Sequence, residues 1–311
     1  MDSNIALRTI VPILLLMGLG FLSRKFRILK SGDERVLNAY VYYFALPSLF
    51  LADLAEIDFT TKNLIFILAG IIPIILIVTI YFLFYFIFKF SKNTFYLLIP
   101  STTFGSLAFF GIPFIMFAFP TIEATRLAIL ATATISVISV TISITALEFY
   151  KLEKTTKSEG IRRVAKRLSR NPLIISIVLG VLLSFSGLEI PAPISTSLHM
   201  LGSTTATVAI FLLGVFLYGR KYTRMVRAFE LSLLRMAFLP AMTFLITALF
   251  NLPSLESAIL VLMHAMPVAI SMIVLSERYN FYKETIASLI LISSIGAGIY
   301  LNLWLLLLGY Y

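Results

Sequence analysis

The sequence predicts an all-α, polytopic membrane protein: ten transmembrane helices in two inverted five-helix repeats, with helices four and nine broken where they cross. Three observations predict it. Of 311 residues, 59% are hydrophobic and only 13% charged, and mean hydropathy is +0.99. Soluble domains carry roughly 45–50% apolar and about 25% charged residues. Apolar segments of spanning length, about 20 residues, recur along the chain. Two of them, one in each half, are interrupted by Gly and Pro where a helix facing lipid would have to run unbroken.

In order, the spans are read at roughly 5–22, 36–54, 64–88, 95–118, 125–148, 172–188, 197–218, 231–250, 255–276 and 285–308. The first resembles a signal peptide in length. No small-residue cleavage site follows it, and Arg24-Lys25-Phe26-Arg27 comes next, so it reads as a mature helix. The sixth opens with Asn171-Pro172, a proline at the first helical turn where its missing N–H costs little. The fourth holds Gly105 and Gly111-Ile112-Pro113, the ninth Ala265-Met266-Pro267. Proline lacks the N–H and clashes with the preceding turn, so breaks and a crossing are expected near Pro113 and Pro267.

Charge orients the spans. Lys and Arg crowd alternate loops, around 24–35, 89–92, 151–170, 220–227 and 278–283, whereas the opposite loops hold Lys62 and Arg126. Basic loops mark the cytoplasmic side. The chain therefore reads as a multi-pass protein of the plasma membrane with both termini outside. The longest basic loop divides it into a first repeat (1–150), a cytoplasmic linker (151–171) and a second repeat (172–311). Five spans per half, an odd number, relate the halves by inversion. The linker is too short for its own core; it serves as a solvated topology signal or as a contact for anionic lipid.

The net charge of +10 sits in these loops, so the lipid bilayer is the expected partner and nucleic acid is not. With no cysteine, disulfides and thiolate metal sites are excluded; no metal or cofactor is expected. Half-helix N-termini at a break carry unpaired N–H groups and partial positive charge, which suits an anion. Around them lie Thr102, Thr103, Ser106, Gly111 and Pro113 in the fourth span, and His264, Pro267 and Ser271 in the ninth. These are the candidate substrate-binding residues. Each hydroxyl has a plain alternative, bonding back to its own helix. His264, ionisable at membrane depth, is either the proton-sensitive group or a neutral link between helices.

Several stretches resemble the auxin efflux carrier family, with its prokaryotic malonate, malate and general permeases. Pro12-Ile13-Leu14-Leu15-Leu16-Met17-Gly18 resembles its first helix, and Leu37-Asn38-Ala39-Tyr40-Val41-Tyr42-Tyr43-Phe44-Ala45-Leu46-Pro47 its second. Gly105-Ser106 through Pro113, Asn171-Pro172-Leu173-Ile174, and Ala265-Met266-Pro267 followed by Ser276-Glu277-Arg278-Tyr279 resemble its fourth, sixth and ninth. The resemblance implies a secondary transporter, a permease or efflux carrier of a small organic anion such as a carboxylate or indole-type acid. Ser106 and Ser271 stand where many members carry Asn, which implies a different substrate. A homodimer stays open. The alternative is a sodium- or proton-coupled symporter of the bile-acid-transporter type, although no Asp or Glu falls well inside the central spans. An intramembrane enzyme is the weaker alternative, since Asp53 has no aspartyl mate and a serine–histidine pair would have to be Ser106 with His264 on neighbouring helices.

Overall fold

The computed structural model describes residues 5–57, 60–151, 162, 165, 166, 168–219 and 222–310. Most of the basic linker therefore lies outside the described residues. The helices are α1 (Ile5–Lys25), α2 (Glu34–Tyr40), α3 (Leu46–Ala55), α4 (Thr61–Ile87), α5 (Lys92–Thr103), α6 (Ile112–Ala118) and α7 (Ile122–Lys151). After the linker come α8 (Pro172–Ser186), α9 (Ala192–Leu217), α10 (Met225–Leu233), α11 (Leu239–Leu249), α12 (Ser254–Ala265), α13 (Ser271–Tyr279) and α14 (Lys283–Leu307). Among the described residues, 5 helices are long and apolar enough to cross a membrane: α4, α7, α9, Met225–Leu249 and α14. Starts follow local sequence. Asn171 accepts from the Leu173 N–H at 3.0 Å ahead of Pro172, and Ser91 accepts from the Thr94 N–H at 3.1 Å, each meeting one orphan donor of a first turn.

Packing sorts the helices into two groups. In one, α1 lies along α9, and α3 packs on α8 and α9. In the other, α11 and α7 flank α12, α4 packs on α7 and α11, and α10 lies on α14. Both groups draw helices from before and after the linker. At the α1–α9 contact the backbones touch: a Cβ on Gly214 would stand 1.8 Å from the Met17 carbonyl oxygen. Only glycine permits that approach, as small residues do at helix contacts in membranes. Deepest of all is α12, where Ala258 to Ala265 are buried without a break. A helical run apolar all round, as Ala258–Ala265 is apart from His264, belongs inside rather than at a surface.

Three prolines leave the same mark. Pro47, Pro113 and Pro240 each follow a π-helical turn, Val41–Ala45, Leu107–Gly111 and Leu234–Phe238. In each, the residue just before the proline closes an i→i+5 bond, Leu46 to Val41, Ile112 to Leu107 and Leu239 to Leu234. The wider turn makes room for the ring, which would otherwise strike the carbonyl four residues back. Pro113 thus sits within a helix without breaking it. The fourth segment unwinds earlier than the sequence predicts, over Phe104–Ser106, and Pro113 sits inside the helix that restarts beyond.

Candidate functional site

The fourth and ninth segments unwind at the same place and cross there. The segment after α5 and the segment after α12 run antiparallel, with a single bridge between Gly105 and Val268. The Ser106 N–H donates to the Pro267 carbonyl at 2.8 Å, and the Ala269 N–H donates to the Phe104 carbonyl at 2.9 Å. Val268 donates its N–H to Ser293 Oγ of α14 at 3.1 Å. Each segment thus satisfies backbone groups that the other's break sets free, as a dry interior demands.

One side chain fills the centre. Arg235, in the π-helical turn between α10 and α11, has no exposed surface. Its Nε donates to the Met266 carbonyl at 2.7 Å and its Nη1 to the Thr102 carbonyl at 2.6 Å. Its Nη2 is buried without a hydrogen-bond partner among the described residues. Gly105 makes the seat, since a Cβ there would stand 1.6 Å from Nη2. Arg235 is not among the candidate residues read from the sequence. The missed signal is an arginine inside an apolar run, functional by default at such depth.

The candidate residues divide. Thr102, Thr103, Ser106, Gly111, Pro113, His264 and Pro267 are buried, whereas Ser271, first residue of α13, is exposed. Ser106 and Pro267 meet through backbone atoms at the crossing. Thr102 shares a hydrogen bond with the Tyr81 hydroxyl at 2.8 Å. Thr103 Oγ1 bonds back to the Ile99 carbonyl at 2.9 Å, the plain role open to it. Gly111 lets the restarted helix approach α12, the Met263 sulfur lying 2.9 Å from where its Cβ would stand. His264 Nε2 pairs with the Gly70 carbonyl of α4 at 2.8 Å, and Nδ1 has no partner among the described residues. A carbonyl only accepts, so Nε2 carries the hydrogen.

Away from the crossing, the Tyr279 hydroxyl donates to Glu148 Oε1 at 2.6 Å, tying α13 to α7. At another rim, Glu56 just past α3 meets Arg126 of α7 at 2.5 Å and His199 of α9 at 3.1 Å. A cavity of about 510 Å³ opens beside them, lined by Asp53, Met116, Thr125 and others.

Apolar helices that unwind only where they cross, around a buried cation, define a multi-pass membrane protein of the transporter class. The chain belongs to the membrane transport protein family, that of the auxin efflux carriers, whose model matches residues 5–305. It is 24% identical to the uncharacterized transporter YfdV of Escherichia coli (strain K12), over 95% of both chains. It is 25% identical to the uncharacterized transporter MJ1031 of Methanocaldococcus jannaschii, over 96% of this chain and 98% of that one.

Proposed function

We propose that the chain is a secondary carrier that moves a small organic anion, a carboxylate or an indole-type acid, by alternating access around this crossing. Ten spans in two inverted repeats, residues 1–150 and 172–311 joined by the linker 151–171, would supply the related halves such a mechanism uses. The observation that carries the reading is Arg235, a fully buried guanidinium with one nitrogen unpaired. No carboxylate partners it among the described residues. A positive charge held out of water calls for a negative one. Helices restart at Leu107 and Ser271, and their first N–H groups add partial positive charge.

The test is counterflow in proteoliposomes. A carrier loaded with unlabelled malonate, malate or indole-3-acetate should draw in its labelled counterpart against a gradient; a channel, receptor or enzyme should not. Thermal-shift screening against carboxylates, amines and sugars would select the substrate to load. Stabilisation by amine cations alone would overturn the reading.

A further inference from the structure

We propose that Arg235 is a tethered cation that fills, within the crossing, the place a mobile coupling ion would otherwise take. The inference rests on reading the crossing as the transport site. It starts from two carbonyls. α5 ends at Thr103 and α12 at Ala265, so the carbonyls of Thr102 and Met266 lie at half-helix C-terminal ends, where partial negative charge gathers. The Thr102 carbonyl has lost its usual helical donor, because the N–H four residues on, that of Ser106, goes to Pro267 instead. Such carbonyls, at broken helices in a membrane, are the ligands with which carriers hold a sodium ion.

Here the guanidinium holds them. Nε and Nη1 take the two carbonyls at 2.7 and 2.6 Å, one from each broken segment, so a single charge pins both C-terminal ends together. Arginine suits the task because its fork presents several donors in fixed directions and keeps its charge. The third nitrogen, Nη2, is left for the substrate and points at the Cβ-less face of Gly105. His264 of α12 and Tyr300 of α14 lie within electrostatic reach of it, and no carboxylate is paired with it among the described residues. A site with its cation built in needs no sodium from solution.

Melting of the detergent-purified full chain tests this without a known substrate. Wild type should melt at the same temperature in choline, potassium and sodium chloride. Arg235→Ala opens the two carbonyls; it should melt lower and recover saturably with sodium or with low millimolar guanidinium. Gly105→Ala displaces the guanidinium without deleting it, and should gain the same cation response if Arg235→Ala does not fold. Arg235→Lys, a point charge without the fork, should fall between. Saturable stabilisation of wild type by sodium would overturn the proposal, and so would variants indifferent to both cations. A second arm adds malonate, malate and indole-3-acetate. A carboxylate that stabilises wild type should bind Arg235→Ala at least about tenfold more weakly, the scale of a lost charge-assisted hydrogen bond. Equal binding would overturn the part given to Nη2. If no carboxylate acts on wild type while the cation arm behaves as stated, the tethered cation stands and the organic-anion reading falls.

Discussion

A guanidinium with no exposed surface sets the chemistry at the smallest scale. His264, also without exposed surface, is bonded to a different helix. Its donor nitrogen is spent on the Gly70 carbonyl, so the role this geometry gives it is to tie α12 to α4. Glutamine can make the same bond. His264→Gln should keep the melting temperature within a few degrees and leave the pH profile of uptake as in wild type; a flattened profile would show that Nδ1 takes up a proton during transport. His264→Leu removes the bond between α12 and the Gly70 carbonyl and should cost about 0.5–1.5 kcal/mol, visible as a lower melting temperature.

At the scale of elements, proline placement decides where helices bend and which carbonyls go free. Pro240 has no N–H for the Met236 carbonyl, and the Trp304 indole N–H takes that carbonyl instead at 2.8 Å. Trp304→Phe should destabilise by about 1–3 kcal/mol by leaving it unpaired. In the Pro240→Ala background a backbone N–H returns, so the same change should cost clearly less. A double-mutant cycle with no coupling would reject the exchange. The α1–α9 contact makes a second prediction at this scale. Gly214→Ala drives a methyl group to 1.8 Å from the Met17 carbonyl oxygen, whereas a Cβ at Gly18 meets nothing within 4 Å. Gly214→Ala should lower the melting temperature markedly and Gly18→Ala should not, as size-exclusion chromatography after a heat step would record.

Across the whole molecule, the two helix groups meet at the Glu56–Arg126–His199 cluster, where Glu56 and His199 belong to one group and Arg126 to the other. The members are each more than a third exposed, so the pairs add little stability. Orientation is checked by chemistry on a chain free of cysteine. Ser3→Cys and Gly160→Cys should react with an impermeant maleimide from opposite sides of the membrane, Ser3→Cys from outside. Labelling from one side would reject the orientation drawn from the Lys/Arg bias.

The sequence by itself determined the class of protein, because hydropathy over about 20 residues is a local property that no partner has to complete. It determined, too, that the fourth and ninth segments are interrupted, since Gly105 and Pro267 act on the backbone where they stand. Tertiary structure decided the rest. Pro113 looks like the breaking residue, yet a π-turn absorbs it, and the chain unwinds at Phe104–Ser106 because Pro267 and Ala269 are there to pair with it. Arg235 carries no legible role along the chain, for its partners lie 31 and 133 residues away. Whether a buried charge is a topology signal or the centre of a site depends on which carbonyls packing brings to it, and only the folded chain supplies them.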